Sequence, residues 1–180
     1  MTNRGETAQD KEEIMKKHLT KLFTLAAIAC FASLTVAAAP LAAGDMPAAD
    51  AAALWEYVTK TNQYSGWSYW PGREGLYKGT QPHGANLKVY VNGPALEAAR
   101  SGKPMPSGAI ILKENYGKDA KSLMAVTPMY KVEGYNPEGG DWFWAKYRAD
   151  GEVEKAGKVE GCINCHRARK DQNWIFNEVK

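Results

Sequence analysis

The stretch SGAIILKENYGKDAKSLMAVTPMYKV, residues 107–132, carries the pattern that decides the fold. It contains two apolar runs, GAIILKEN and KSLMAVTPMYKV, which are rich in the aliphatic and β-branched residues that favour strands. Pro128 interrupts the second run. Because proline has no N–H to donate to a β-ladder, we expect Pro128 at a sheet edge or in a bulge. The stretch therefore predicts two strands.

Two further segments extend the predicted sheet. ANLKVYVN, residues 85–92, alternates apolar and polar side chains, as a half-buried strand does. WFWAKY, residues 142–147, is an aromatic-rich strand that follows the turn GYNPEGGD. Together these segments predict three or four antiparallel strands.

Two helices accompany the strands. The first is predicted from Pro47 to Asn62, with Asp50 as its N-cap. A shorter helix is predicted in GPALEAARSG, residues 93–102, because Pro94 suits a first helical turn and a glycine follows the last turn. The fold class is therefore α+β, predominantly an antiparallel β-sheet with a few helices.

The segment EGCINCHRARK, residues 160–170, predicts a cofactor. Cys162 and Cys165 are three positions apart, on one side of a helical turn, and His166 follows directly. Two thiols at this spacing can add to the two vinyl groups of a haem, and the histidine then lies beneath the iron as its proximal ligand. The motif predicts one covalently attached haem c at the C-terminal end of the domain.

Three other interpretations of the motif remain open. A thioredoxin-like dithiol needs a strand before the cysteines and a long helix after them, and few residues follow His166. A zinc site needs four ligands, and besides the three ligands of the motif the predicted exported domain offers the distant His83. A structural disulfide between Cys162 and Cys165 would close a very small loop and add little stability.

Residues 1–43 have the features of a secretory signal peptide with a long n-region. A basic patch precedes an alanine-rich apolar run from Leu22 to Ala39. We expect cleavage after Ala43, export to the periplasm, and a single haem domain over residues 44–180. A retained membrane helix is the competing interpretation. Because the run is short and ends at a proline, no stable membrane span is expected in the mature protein.

Charge and cysteine content narrow the classes of function. The formal net charge of the chain is only +3, which gives no reason to expect nucleic acid as a partner. Cys30 lies inside the predicted leader, so Cys162 and Cys165 are the two cysteines of the predicted exported domain. Export places them in an oxidising compartment, where two thiols that held no cofactor or metal would be oxidised.

The segments WPG, PHG, VYVN, SGAIILKEN, MYKVEGYNP, DWFWAKY, CINCH and KDQNWIF follow one another in that order. In this order they resemble the cytochrome P-460 family, which includes cytochrome c′-beta. The resemblance runs from Ala52 to Phe176. It implies a largely β domain, often a homodimer, with an open or weakly occupied distal side of the haem. It also implies binding of nitric oxide and related small molecules and, in some members, oxidation of hydroxylamine.

The resemblance assigns roles to individual residues. Cys162, Cys165 and His166 match the haem motif, and Lys113 aligns with the lysine that some members link covalently to the porphyrin. The distal carboxylate that those enzymes use as a proton relay has no counterpart in the aligned strand, residues 125–129. This departure weakens the case for hydroxylamine oxidation, because proton transfer needs a group in that place.

Several other side chains are candidates for the surroundings of the haem. Met129 is a candidate distal ligand, since methionine binds haem iron, although it also packs well in cores. His83 is a candidate second imidazole. Arg167, next to the proximal histidine, is a candidate for a haem propionate or another proximal contact. Lys113 lies on a strand that is apolar on both faces, so periodicity leaves its direction open.

Three functions are consistent with these residues. The first is an exported haem protein that binds nitric oxide or another small nitrogen-oxide ligand. The second is an oxidoreductase that acts on hydroxylamine or nitric oxide with Lys113 crosslinked to the haem. The third is an electron-transfer cytochrome that uses His166 and Met129 as axial ligands. A redox partner protein is expected beside the small ligand.

Overall fold

One antiparallel sheet of seven strands forms the frame of the protein. The computed structural model describes residues 46–79 and 82–176, so the predicted signal peptide lies outside the described residues. The order across the sheet is β1–β3–β4–β5–β6–β7, with β2 also paired to β3. The strands are β1 Ser68–Tyr69, β2 Tyr77–Lys78, β3 Asn86–Val91, β4 Ile110–Tyr116, β5 Leu123–Lys131, β6 Trp142–Arg148 and β7 Val153–Gly157.

Three short α-helices accompany the sheet in the described part of the chain. They are α1 Ala51–Glu56, α2 Gly93–Ser101 and α3 Glu160–His166. A π-helical segment, Tyr57–Thr61, continues α1, and a 3₁₀ segment, Arg167–Gln172, continues α3. None of the described helices is long and apolar enough to cross a bilayer. The predicted α+β class is confirmed, with more strands than the three or four that the sequence predicts.

Two asparagine or aspartate side chains cap the predicted helices. The Asp50 carboxylate accepts hydrogen bonds from the backbone N–H groups of Ala52 and Ala53, so α1 begins where the sequence predicts a cap. Asn92 caps α2 by accepting from the Ala95 N–H, and the same oxygen accepts from the N–H of Ile110. The hydrogen bond from Ile110 connects the start of α2 to the start of strand β4, and Asn92 itself is buried.

The two faces of the sheet are covered by different residues. On one face, the buried Leu54 and Val58 of the first helical segment pack against side chains of β3 to β6. On that face the Glu114 carboxylate accepts hydrogen bonds from the hydroxyl groups of Tyr64, Tyr90 and Tyr116. The opposite face packs against α2 and the C-terminal segment. It is the opposite face that carries the candidate site.

Pro128 lies neither at a sheet edge nor in a bulge, the two positions that the sequence predicts. Strand β5 lies in the middle of the sheet, between β4 and β6. Pro128 pairs with Leu112 of β4, but towards β6 the register passes from Val126 to Met129 without pairing the two residues between them. The missing N–H of proline therefore falls at a gap in one ladder, which is how a central strand accommodates it here.

Candidate haem site

Helix α3 presents the two cysteines of the motif on one short turn. The Val159 carbonyl accepts hydrogen bonds from the N–H groups of Cys162 and Ile163 and so begins the helix. Ile163 is buried in the core, which anchors the turn to the sheet. Both thiols are free; Cys162 is half-buried and Cys165 is exposed. The helical turn that covalent haem attachment requires is therefore present.

His166 ends this helix as a buried side chain. Its Nδ1 donates a hydrogen bond of 2.6 Å to the Trp174 carbonyl, which leaves Nε2 with its lone pair available to a metal. The ring also packs against Trp144, with centroids 4.6 Å apart. Burial, and to a lesser extent the nearby Lys113 ammonium, lowers the His166 pKa to about 4 against the opposing Trp174 hydrogen bond. The ring is thus neutral near pH 7.

A tight turn after the motif holds the acceptor of this hydrogen bond. Asn173 and Trp174 both have left-handed backbone conformations, with φ of 57° and 64°. The side-chain oxygen of Asn173 accepts a hydrogen bond from the Met105 N–H. The backbone carbonyl of Asn173 accepts one from Trp142 Nε1. These contacts fix the turn to the sheet and to the loop after α2, and so they fix the orientation of His166.

A cavity of about 540 Å³ lies beside His166 and the two cysteines. This volume is within the range of pockets that hold cofactors and drug-sized ligands, about 300–1,000 Å³. Its floor is the sheet face on which alternate residues of three neighbouring strands point inwards. Those lining residues include Ile111, Lys113, Asn115, Thr127, Met129 and Trp144.

Lys113 points into this cavity from the middle of β4. The side chain is 9 % exposed, so the structure decides the direction that the sequence leaves open. Burial lowers the pKa of the Lys113 amine to about 8, and the nearby Cys165 opposes the shift. A lysine amine with this pKa is far more often neutral, and therefore nucleophilic, than an ordinary surface lysine.

His83 lines the same cavity from the segment before β3. Its ring centroid is 6.3 Å from that of His166, and the two ring planes are at 84° to each other. His83 Nδ1 lies 3.2 Å from the side-chain oxygen of Asn115. Burial lowers the His83 pKa to about 4, and the Lys113 ammonium adds to this effect.

The residues around the cavity fit a haem. Two free thiols and a neutral imidazole with an available nitrogen are the donor set of covalent haem attachment. The indole N–H of Trp144 is buried and, within the described part of the chain, has no hydrogen-bond partner, so it is available to a polar group of a bound ligand. Among the described residues, no three His, Cys, Asp or Glu side chains are grouped to hold a metal ion without such a cofactor.

A family model described as Cytochrome P460 matches residues 61–177, which include all seven strands and the haem motif. The chain belongs to the cytochrome P460 family. No curated protein matches the sequence. The family match confirms the resemblance seen in the order of short segments, and it makes this a haem protein related to nitrogen-oxide and hydroxylamine chemistry.

Two other predicted site residues lie in different places in this cytochrome P460-family protein. Met129 is buried, pairs with Trp144 of β6 and lines the cavity, so its role as a distal ligand stays a prediction. Arg167 is exposed and lines a separate surface depression with Glu138 and Lys158, rather than the haem cavity. The structure therefore does not bring Arg167 to the cavity.

Sequence reasoning missed Glu154, the one carboxylate among the described residues that line the cavity. It lies on β7, an edge strand that the sequence analysis did not predict, because Val153–Gly157 is charged and shows no apolar alternation. Glu154 forms ion pairs with Lys146 and Arg148. The hydrogen bond from Lys146 holds the pKa of Glu154 below its ordinary value.

Replacement of Gly140 is expected to disturb the hydrogen bond that orients His166 in this cytochrome P460-family protein. Gly140 has a φ of +68°, and a β-carbon built on it would overlap the Trp174 indole. Gly140→Ala should therefore displace the residue whose carbonyl holds His166. Gly134→Ala is the matched control, since Gly134 has a φ of +74° but open space around the added carbon.

We expect Gly134→Ala to cost about 1–2 kcal/mol of unfolding free energy, the cost of a left-handed non-glycine residue. Gly140→Ala should cost a further amount of about 1–3 kcal/mol from overpacking and should shift the visible spectrum. Urea unfolding followed by circular dichroism, together with optical spectra, measures both effects. Equal stability of the two variants would contradict the assigned role of Gly140.

Proposed function

We propose that this protein is exported to the periplasm and there binds nitric oxide or another small nitrogen-oxide ligand. The binding site is the iron of a single haem c, attached through Cys162 and Cys165 with His166 as the proximal ligand. One observation carries the choice of ligand binding over oxidation. The cavity beside His166 contains no carboxylate, among its described lining residues, that is free of an ion pair.

The residues around the motif have separate tasks in this proposal. The two cysteines retain the haem covalently, so that a small domain with an open cavity does not lose it. The Trp174 carbonyl orients the proximal imidazole and increases its basicity through the 2.6 Å hydrogen bond. When bound, the haem supplies the iron at which a diatomic ligand can bind.

Oxidation of hydroxylamine requires removal of protons as well as electrons. A general base for this step works best with a pKa near the operating pH. Glu154 is a poor candidate, because its ion pairs with Lys146 and Arg148 keep it ionised and weakly basic. Thr127, which pairs with Lys113 across the β4–β5 ladder, lines the cavity with a hydroxyl, which is not a general base at neutral pH. This arrangement supports binding rather than oxidation.

A second candidate function rests on Lys113. The amine is buried in the cavity and its pKa is lowered to about 8, two properties that would suit a lysine that becomes covalently linked to a porphyrin edge. With such a crosslink the protein would be an oxidoreductase acting on hydroxylamine or nitric oxide. In both proposals a redox partner protein exchanges electrons with the haem. In both, the haem protein itself forms a homodimer.

Optical spectra of the purified holoprotein separate the two candidates. We expect nitric oxide to shift the Soret and visible bands of the reduced protein, with a saturable titration. We also expect Lys113→Met to leave the Soret position of the reduced protein unchanged. Lys118→Met is the matched control, because Lys118 is an exposed lysine next to the same strand.

Two results would change the assignment. Absence of any spectral response to nitric oxide would contradict the proposed ligand class. A Soret band displaced far to the red in the wild type, and returned to an ordinary position by Lys113→Met but not by Lys118→Met, would establish the crosslinked oxidoreductase instead. Detection of the polypeptide in a periplasmic extract with a new N-terminus near residue 44 tests the export.

A further inference from the structure

We propose that His83 is the second axial ligand of the haem iron in the resting protein, and that a small ligand binds by displacing it. This inference rests on the haem site proposed above and adds the occupant of its distal side. The displacement is a ligand exchange: the bond between iron and His83 breaks, a bond to the incoming ligand forms, and no electron is transferred.

The separation of the two histidine rings is the first argument. Imidazole nitrogens bind transition metals at about 2 Å and lie about 1 Å from the ring centre, so two imidazoles that share one metal have centroids about 6 Å apart. The centroids of His83 and His166 are 6.3 Å apart. Both rings line the cavity that also contains the two cysteines. The spacing suits one metal between the two rings.

The hydrogen bonds of Asn115 supply the second argument, because they decide which nitrogen of His83 is available. The Asn115 amide nitrogen donates to the carbonyl groups of Lys113 and Ala125, which fixes the orientation of the side chain. Its oxygen therefore faces His83 Nδ1, which must be the protonated nitrogen that donates to it. Nε2 then carries the lone pair, as it does in His166.

This tautomer distinguishes between two roles for a distal histidine. A histidine that donates a hydrogen bond to an iron-bound ligand needs its proton on the nitrogen nearest the iron. A histidine that binds the iron needs a lone pair there. Because Nδ1 of His83 donates to the Asn115 oxygen, its Nε2 carries the lone pair that a metal ligand needs. Histidines that bind metals usually donate their other N–H to a nearby acceptor, and the buried Asn115 amide is that acceptor here.

The backbone beside His83 is held closely against the sheet. A β-carbon on Gly84 would lie 2.6 Å from the Tyr116 carbonyl oxygen, so the chain approaches the end of β4 as only glycine allows. Asn86, at the start of β3, donates to the Gly117 carbonyl and holds the same region from the other side. His83 thus reaches the cavity from a fixed backbone position, although it lies outside any strand.

Met129 and Lys113 are the other candidates for the distal side. Met129 belongs to the buried core cluster and pairs in register with Ile111 and Trp144. Lys113 projects from the same ladder, and its amine must lose a proton before it can bind a metal. Of these three side chains, His83 is the one whose metal-binding nitrogen is left free for the iron by a hydrogen bond from its other nitrogen to the buried Asn115.

The test uses the holoprotein in its ferric state, before any ligand is added. Near-infrared magnetic circular dichroism identifies the axial pair of a low-spin ferric haem, and electron paramagnetic resonance reports its spin state. We expect a low-spin, bis-imidazole haem in the wild type. His83→Ala should be high-spin, and added imidazole should restore the low-spin spectrum. Met129→Leu, which keeps the side-chain volume, should remain low-spin.

Asn115→Leu provides a further variant in which His83 itself is retained. This variant should keep the low-spin haem, but His83 should leave the iron more easily because its hydrogen bond to Asn115 is lost. Nitric oxide should therefore bind at least several-fold faster than to the wild type. His83→Ala should also bind nitric oxide faster, because no endogenous ligand has to leave.

The results that overturn the inference are distinct from those that overturn the proposed function. A five-coordinate ferric wild type, or a wild-type spectrum of a His/Met or His/Lys pair, excludes His83 without any variant. A low-spin His83→Ala variant excludes it as well. A bis-imidazole wild type that fails to respond to nitric oxide would instead retain the axial assignment and refute the ligand class proposed above.

Discussion

The double variant Cys162→Ser with Cys165→Ser is expected to have the intact mass of the polypeptide alone, without the increment of a haem. Each thioether needs a cysteine sulfur, and serine oxygens do not add to the vinyl groups in the same way. The wild type should carry one haem increment. Mass spectrometry after denaturation measures this directly, because denaturation removes any haem that is not covalently attached.

Single variants make the test quantitative. Cys165→Ser and Cys162→Ser should each retain one attachment point, and the haem increment should persist in a fraction of the molecules. A wild type without the increment would overturn the haem c assignment, and a double variant that keeps the increment would place the attachment on other residues. Cys165 is exposed, whereas the half-buried Cys162 packs against the core cluster, so Cys165→Ser is the milder of the two changes.

The substitution Trp142→Ala is expected to have the largest effect on stability. Trp142 is fully buried in the cluster beneath the haem cavity, and its indole N–H donates to the Asn173 carbonyl. Removal of a buried aromatic side chain costs about 3–5 kcal/mol of unfolding free energy, through lost contacts and the cavity left behind. The turn that orients His166 would also lose one of its anchors.

Two controls separate packing from the hydrogen bond. Trp142→Phe keeps most of the ring and should cost about 1–3 kcal/mol, since it leaves the Asn173 carbonyl without its partner. Trp67→Ala removes a half-exposed tryptophan, whose indole donates to the exposed Asn62, and should cost less than Trp142→Ala. Urea unfolding followed by far-ultraviolet circular dichroism measures all three. A loss for Trp142→Ala no larger than that for Trp67→Ala would contradict the packing described for β6.

Strands β3 to β6 could be predicted from local patterns, but β1, β2 and β7 could not. The first two strands have two residues each, too few to show alternation, and they exist because both pair with β3. Strand β7 is a charged sheet edge whose only large apolar side chain, Val153, is 44 % exposed. Such strands are specified by their partners in the sheet rather than by their own residues.

Pro128 shows a limit of a rule that is usually reliable. A proline without an N–H is expected at an edge, yet β5 is a central strand. The proline is tolerated because the pairing between β5 and β6 omits it and its neighbour Thr127. That gap depends on how three strands align, which no single segment of sequence reveals.

The sequence by itself determined the haem motif, because the two cysteines and the histidine lie within one helical turn and their geometry is local. It also determined the family, through short segments whose order along the chain is preserved. Only the tertiary structure decided which other side chains line the cavity beside His166. Lys113 and Asn115 lie on β4, whereas His83 belongs to the separate segment that precedes β3. The pairing of β3 with β4 and the close approach at Gly84 bring them into one cavity.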